Sequence, residues 1–200
     1  MRAEGLVLAG GKSRRMGGRH KGDLKYQEQS FQDHVIAELG KLTDRIFLSY
    51  GSVSHGEYPG CQIVRDTYPE IGPVGGLCAG LEHSEYEMIM VAACDMPLLN
   101  AELYQYLWES LSEKEAEREK KFDGVVPVTK GKMHPLAAIY RTSALRILEQ
   151  QIEQSNYRVT DAVKAMDILY VDVTENVGYV QMLRNINTGE EYQKLVMDKD

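Results

Sequence analysis

The residues best suited to chemistry in this chain are cations gathered into one glycine-containing stretch near its start. The sixteen residues from Gly10 to Lys25 carry six of them, whereas spreading 23 lysines and arginines evenly over 200 residues would place about two there. Glycines let the backbone bring N–H groups close to a phosphate, and long cationic side chains can bind its oxygens. The six are Lys12, Arg14, Arg15, Arg19, Lys21 and Lys25. The stretch therefore predicts a site for a small polyanion such as a nucleoside triphosphate.

The rest of the chain is acidic, which limits what this basic stretch can serve. The formal net charge is −7, so a broad nucleic-acid or anionic-membrane surface is not expected. The sequence Gly11-Lys12-Ser13 looks like the end of an ATPase P-loop, but the first glycine of that motif would have to stand where Leu6 stands. We therefore disfavour a P-loop ATPase.

A carboxylate follows the most apolar segment of the chain. Asp95 comes directly after Met88–Ala93, a run without polar alternation that is typical of a strand buried on both faces. Magnesium in nucleotide enzymes is held by one or two protein carboxylates together with phosphate oxygens and water. Asp95 is therefore our candidate magnesium ligand, and the alternative is that it only caps the following turn.

A second acidic residue, Asp66, ends another predicted strand and precedes a glycine-rich helix start. Gly72, Gly75 and Gly76 would leave room there for a base or a phosphate. The same small residues could equally serve close packing of a helix on the sheet, and the sequence does not decide between these two interpretations for the glycines.

The elements that must position these residues alternate between strand and helix. Apolar runs predict strands near residues 4–9, 45–50, 62–65, 87–93, 123–128, 134–140 and 168–173, with helices between most of them. This order predicts a Rossmann-like, doubly wound α/β fold with a mostly parallel sheet and helices on both faces. Ligands then bind at the carboxyl ends of the strands. We expect one domain over 1–200, with 1–112 as its nucleotide-binding half and 122–200 as its acceptor-facing half.

Composition gives the remaining expectations. Hydrophobic residues make up 43% and charged residues 26%, as in an ordinary globular domain. Three widely spaced cysteines match no zinc pattern and suggest reduced thiols. The chain shows neither a basic-then-apolar leader nor an apolar run long enough to span a bilayer, so we expect a cytoplasmic protein without membrane partners.

The ordered motifs resemble those of the molybdenum cofactor guanylyltransferases, the molybdopterin-guanine dinucleotide biosynthesis A proteins. The matching segments span nearly the whole chain, and their order is more specific than the first motif alone. They are Leu8 to Gly17 with Lys21, Asp66, Gly72 to Leu77, Cys94 to Pro97, His134 to Leu136 and Asn185 to Thr188.

The resemblance implies transfer of GMP from Mg·GTP to the terminal phosphate of molybdopterin or its molybdenum-loaded form, and a fold of the nucleotidyltransferase type. It implies that Leu8, Ala9 and Gly10, with Gly11, contact the nucleotide through backbone atoms. It also implies that Lys21 binds phosphates, that Asp66 lies in the nucleotide pocket and that Asp95 binds Mg²⁺. Ser49 stands where the family has an asparagine, which puts one base or ribose contact in doubt. The candidates for the acceptor side are His134, Asn185 and Asn187, and Asn187 could also assist the metal.

Two sequence details favour the guanylyl over the cytidylyl branch of the resemblance. They are Ala9-Gly10-Gly11 in place of Ala-Ala-Gly, and Cys94-Asp95-Met96-Pro97 in place of Gly-Asp-Gln-Pro. The family also implies contact with molybdoenzyme maturation proteins, although no surface in the sequence identifies that contact.

The residues themselves indicate a mechanism dominated by positioning. A phosphate acceptor is anionic at neutral pH and needs no general base, so the protein must align it and reduce anion–anion repulsion. We assign Asp95 to Mg²⁺ and Arg15 and Lys21 to the departing pyrophosphate. Two alternatives stay open, namely a transferase using CTP or a sugar or isoprenoid phosphate acceptor, and a non-catalytic GTP-binding protein of cofactor delivery. Ser13 lacks a His/Asp constellation, so a hydrolase triad is not indicated.

Overall fold

The computed structural model of the chain describes residues 2–10, 21–51 and 57–197. Gly11 and Arg15 therefore lie outside the described residues, as do the side chain of Lys21 and the remaining cations of positions 11–20. The strands are β1 Glu4–Leu8, β2 Lys25–Tyr26, β3 Gln29–Ser30, β4 Ile46–Ser49, β5 Gln62–Val64, β6 Met88–Ala93, β7 Gly124–Thr129, β8 Lys132–Met133, β9 Ala137–Arg141 and β10 Ile168–Asp172. The helices are α1 Phe31–Gly40, α2 Pro73–His83, α3 Ala101–Ala116, α4 Leu145–Glu153, α5 Val159–Ala165, α6 Val177–Met182 and α7 Gly189–Met197.

Most described strands join one sheet, in the order β10-β7-β9-β6-β1-β4-β5, with β8 paired to β7. Neighbours β6, β1, β4 and β5 are parallel, and β10 is parallel to β7. The exceptions are β9, which is antiparallel to both β6 and β7, and the short β8. The predicted doubly wound α/β fold with a mostly parallel sheet is confirmed.

The reversed strand β9 has a simple cause. Only residues 130–136 connect β7 to β9, and a parallel crossover needs a dozen or more residues. The hairpin therefore folds back, and β9 lies between β7 and β6. The predicted strand over 134–140 begins later than expected, at Ala137, because His134 to Leu136 form the turn that enters it.

Helices cover both faces of the sheet because the central strands alternate apolar side chains between them. In β6, Met90 packs with α1 and α3 on one face, whereas Ile89 and Val91 pack with α2, α4 and α5 on the other. Burial of such runs is the main stabilising term in a fold of this class. A third, smaller cluster joins α1, the β2–β3 hairpin and α7 around Phe31, Ile186 and Leu195. Strands from both predicted halves of the domain, 1–112 and 122–200, thus belong to one continuous sheet.

Candidate active site at the carboxyl edge of the sheet

The site is built where three parallel strands end side by side. Leu8 of β1 is in register with Ser49 of β4 and with Ala93 of β6. The backbone continues this pairing beyond the strands, because Ala9 N donates to Ser49 O at 2.8 Å and Cys94 N donates to Leu8 O at 3.1 Å. The loop that follows β1 therefore leaves the sheet directly beside the loop that carries Asp95.

Two glycines mark where the chain leaves this edge and where it returns. A Cβ on Gly10 would lie 2.9 Å from the backbone nitrogen of Gly51, which is too close for any other residue without a shift. At the other end, a Cβ on Gly22 would lie 3.1 Å from Gln32 Oε1 and 3.8 Å from Cys94 Sγ. Gly22 belongs to a 3-10 turn over Lys21–Asp23. The predicted phosphate-binding stretch thus begins and ends at the edge where Asp95 lies.

Asp66 is held by the strand next to it. Ser49 Oγ donates to Asp66 Oδ1 at 2.9 Å and accepts from Gly51 N at 3.2 Å, so its hydroxyl is used twice within the protein. Ser49 is buried, whereas Asp66 is half-buried. Burial raises the pKa of the Asp66 carboxyl, and the hydrogen bond from Ser49 opposes that rise. Ser49 therefore fixes the position of the Asp66 carboxylate and of the backbone at Gly51.

The glycines at the start of α2 are explained by packing. A Cβ on Gly75 would lie 2.8 Å from Asp66 Oδ2, and one on Gly76 would lie 2.7 Å from Leu8 Cδ2. Further along, a Cβ on Gly80 would lie 2.5 Å from Leu6 Cδ2. These three small residues let α2 approach the sheet closely at the strands that carry Leu8 and Asp66. Gly72 differs, because its φ of +77° is the conformation that favours glycine and a Cβ there would meet nothing within 4 Å.

Asp95 is tied to the C-terminal part of the chain. Asn185 Nδ2 donates to Asp95 Oδ1 at 2.7 Å, and Ile186 N donates to the backbone oxygen of Asp95 at 2.8 Å. The carboxylate is half-buried and its direction is fixed by this amide. The backbone nitrogen of Asn187 instead donates to Glu191 Oε2 at 2.6 Å, at the start of α7. The structure therefore brings Asn185 and Asp95 together, a contact that the sequence spacing could not indicate.

His134 reaches the same edge through the reversed strand. Ala93 N donates to Leu136 O at 2.9 Å, so the turn from His134 to Leu136 lies against the end of β6. His134 is buried, and its Nε2 shares a hydrogen bond of 2.6 Å with Thr129 Oγ1. Burial, with a smaller contribution from Lys132, lowers the pKa of His134 to about 4. The ring is therefore neutral at pH 7, and Thr129 is a partner that sequence reasoning missed.

The donor chemistry at this edge fits magnesium in the form expected for a nucleotide enzyme. Within the described ranges, no group of three or more His, Cys, Asp or Glu residues could hold a metal. Asp95 supplies a single hard oxygen ligand, oriented by Asn185. Such a ligand suits an ion that takes most of its oxygens from phosphates and water.

No helix in the part of the chain that the structure describes is long and apolar enough to cross a membrane.

The sequence of the chain is similar to those of known proteins. The family model described as the MobA-like NTP transferase domain matches residues 5–167. A protein of Flavobacterium johnsoniae named "Probable molybdenum cofactor guanylyltransferase" is 31% identical, and the match covers 95% of this chain and 94% of that protein. One of the same name from Clostridium perfringens is 29% identical over 97% of this chain and 96% of its own length.

The solved structures extend the comparison to the fold. The molybdopterin-guanine dinucleotide biosynthesis protein A from Archaeoglobus fulgidus superposes with a TM-score of 0.77 at 22% identity, covering 98% of this chain and 97% of that one. The 2-C-methyl-D-erythritol 4-phosphate cytidylyltransferase from Thermus thermophilus gives a TM-score of 0.68 at 13% identity, covering 98% of each chain. At these identities the superpositions show a shared fold.

Proposed function

Because the chain belongs to the family of MobA-like NTP transferase domains, we propose that it transfers GMP from GTP to the terminal phosphate of molybdopterin, with or without bound molybdenum, and releases pyrophosphate. Nucleotidyl transfer in molybdenum cofactor biosynthesis is supported by relatives of about 30% identity over nearly the whole chain. To this activity the proposal adds GTP as the nucleotide donor and Mg²⁺ as the cofactor.

One observation carries the proposal. The register of Leu8 with Ser49 and Ala93 sets the start of the basic stretch beside Asp95 at one edge of the sheet. An enzyme of this class must hold a triphosphate between cations and a metal-binding carboxylate, and the described residues at which the basic stretch begins and ends lie at the same edge as Asp95. The bond that forms joins an acceptor phosphate oxygen to the α-phosphorus of GTP, and the bond that breaks joins that phosphorus to the leaving pyrophosphate.

We assign the roles of the residues from the family resemblance and from the chemistry of each side chain. Gly10, with Gly11, would offer backbone N–H groups to the phosphates, as Leu8 and Ala9 would through their own backbone atoms. Arg15 and Lys21 would neutralise the departing pyrophosphate. Asp95 would hold Mg²⁺, which supplies positive charge to the phosphate oxygens when it is bound.

The acceptor side is assigned from the two contacts that reach the same edge. His134 is neutral, so it can share a hydrogen bond with a phosphate or pterin group without adding charge. Asn185 orients the carboxylate of Asp95, and Asn187 follows it in the segment that leads into α7. Asp66 and Ser49 would belong to the nucleotide pocket. Contact with molybdoenzyme maturation proteins and a cytoplasmic location remain predictions of the family resemblance.

The decisive experiment is the mass of the product formed from molybdopterin and a nucleotide. We expect the guanine dinucleotide and pyrophosphate with GTP, and little product with CTP. A preference for CTP, or for a sugar or isoprenoid phosphate acceptor, would show that the protein has a different nucleotidyltransferase activity. Binding of GTP without magnesium-dependent turnover would instead indicate a delivery protein.

A variant at Asp95 tests the metal assignment. Asp95→Ala should abolish turnover while the circular dichroism spectrum and thermal unfolding stay close to those of the unmodified protein. The matched control is Asp44→Asn, an exposed carboxylate before β4 and thus at the opposite edge of the sheet, which should leave turnover unchanged. Near-normal activity of Asp95→Ala would refute the assignment.

A further inference from the structure

The segment from Asn185 to Leu195 touches both sides of the proposed active edge. At one end, Ile186 N donates to Asp95 O at 2.8 Å. At the other, the hydroxyl of Tyr192, in α7, donates to the backbone oxygen of Lys25 at 2.8 Å. Lys25 begins β2, directly after the turn Lys21–Asp23 and Leu24. One short piece of chain therefore contacts the loop that carries Asp95 and the hairpin that follows Lys21.

Packing between these two ends is apolar and buried. Phe31, Ile186 and Leu195 form the centre of this packing. Leu24, next to the hairpin, and Leu98, in the loop after Asp95, pack against it. The ring of Tyr192 meets that of Phe31 edge-on, with ring centroids 6.0 Å apart. Leu24 is fixed as well, since its backbone oxygen accepts from Phe31 N at 2.8 Å.

The two consecutive carbonyls after the turn are thus bound by different partners. Phe31 N, at the start of α1, donates to the oxygen of Leu24, whereas the hydroxyl of Tyr192 donates to the oxygen of Lys25. The α1 contact is local in sequence, whereas the Tyr192 contact joins residues at opposite ends of the chain. Tyr192 therefore links the hairpin to the segment that also binds the Asp95 loop through Ile186.

We infer that Tyr192 is a positioning residue for nucleotide binding, which fixes the β2–β3 hairpin and with it the backbone of the turn that carries Lys21. The inference rests on the proposed function, because it assumes that Lys21 binds the phosphates of GTP. The competing explanation is that Tyr192 only stabilises α7, in which case its loss would lower thermal stability without a specific effect on the nucleotide.

The test is a double-mutant cycle on GTP affinity. Tyr192→Phe keeps the ring against Phe31 and removes only the hydroxyl, so we expect GTP to bind about three- to tenfold more weakly. Lys21→Ala should itself bind GTP more weakly than the unmodified protein. In that background Tyr192→Phe should change GTP affinity by less than about twofold, because the effects of substitutions at interacting residues do not add. An unchanged affinity in the first variant, or an equal loss in both backgrounds, would overturn the inference.

Tyr170→Phe is the matched control. Tyr170 is an exposed tyrosine on the edge strand β10 whose hydroxyl also contacts a backbone oxygen, that of Val163, at 3.5 Å. Its removal should leave GTP affinity unchanged.

Hydrogen exchange separates failure of this inference from failure of the proposed function. In Tyr192→Phe without nucleotide, the amides of residues 21–26 should exchange faster, while those of β10 should not. If the unmodified protein binds no GTP, the proposed function fails and the inference fails with it. If GTP binds normally to Tyr192→Phe and the amides of 21–26 are unaffected, the inference alone fails.

Discussion

Asp66 and His134 have pKa values moved in opposite directions by the same cause. Burial disfavours a charge, so it raises the pKa of the acid Asp66 and lowers that of the base His134. Ser49 partly restores ionisation of Asp66 by donating to it, whereas His134 shares its hydrogen bond with the neutral hydroxyl of Thr129. Asp66 is therefore suited to accept hydrogen bonds from a nucleotide, and His134 to contact a ligand without charge.

The depressed pKa of His134 makes stability depend on pH. The unfolded chain takes up a proton near pH 6.5 and the folded protein only near pH 4, so the free energy of unfolding falls as the pH drops through this window. Between pH 7 and pH 5 the expected loss from this residue is about 2 kcal/mol. Urea unfolding should show that His134→Gln loses less stability over that range than the unmodified protein. An equal loss in both proteins would contradict the pKa assignment.

Several features of individual elements were readable from local sequence. A serine directly before an apolar helical stretch is typical of an N-cap, and the hydroxyl of Ser30 accepts from Asp33 N at 3.0 Å. Thr188 with Glu191 three residues later has the spacing of a capping box, and both reciprocal hydrogen bonds are present, at 3.2 and 2.9 Å. Caps are predictable because the donor and acceptor lie within three residues of each other.

Other elements escaped sequence analysis for identifiable reasons. The β2–β3 hairpin turns through Gln27 and Glu28, whose φ values of 51° and 71° are adopted without a glycine to signal them. Helix α6 is six residues long and buries none of them, so no apolar periodicity marks it. The tight approach of α2 was visible as a run of small residues, but the choice between packing and ligand binding needed the coordinates of Leu8, Ser49 and Asp66.

Because α2 packs so closely on the sheet, a larger residue at Gly76 should destabilise the protein. In Gly76→Ala the new Cβ would lie 2.7 Å from Leu8 Cδ2 and 2.8 Å from Ser49 Oγ, so these buried side chains, the helix or the strand end must shift. Overpacking of this kind costs about 1–3 kcal/mol, which thermal unfolding would detect. Gly189→Ala, where a Cβ meets nothing within 4 Å, is the control and should change stability little. Similar unfolding temperatures for both variants would argue against the packing explanation.

Across the whole molecule, the two edges of the sheet have different chemistry. At the amino edge, the fully buried Glu4 accepts hydrogen bonds from Arg45 Nε at 2.7 Å, from the hydroxyl of Ser84 and from Glu85 N at 2.9 Å. These partners lie in two connections of the fold, the one before β4 and the one before β6, and they leave the carboxylate no contact with solvent. At the carboxyl edge, Asp66 and Asp95 are half-buried, and Asp66 lies beside Gly51 and Gly75. The carboxylate at the amino edge is therefore satisfied within the protein, whereas the two carboxylates at the carboxyl edge remain partly exposed.

Exchanging carboxylate for amide at each edge should therefore give opposite results. Glu4→Gln removes the charge that Arg45 and two backbone N–H groups bind, and should lower the free energy of unfolding by about 3 kcal/mol while GTP affinity at 10 °C is retained. Asp95→Asn should retain stability and lose magnesium-dependent turnover. Denaturant unfolding and a pyrophosphate-release assay on both variants measure the two effects. Loss of stability in Asp95→Asn, without loss of turnover, would contradict this division.

The sequence by itself determined the alternation of strands and helices, the helix caps, the family, and which residue types could bind a triphosphate. Each of these depends on residue types and short spacings, which are encoded locally. Only the tertiary structure decided that β9 reverses to bring Leu136 beside Ala93, that Asn185 binds Asp95, and that Tyr192 binds Lys25. These contacts join residues far apart in the chain, and they depend on how whole elements pack, which no local pattern records.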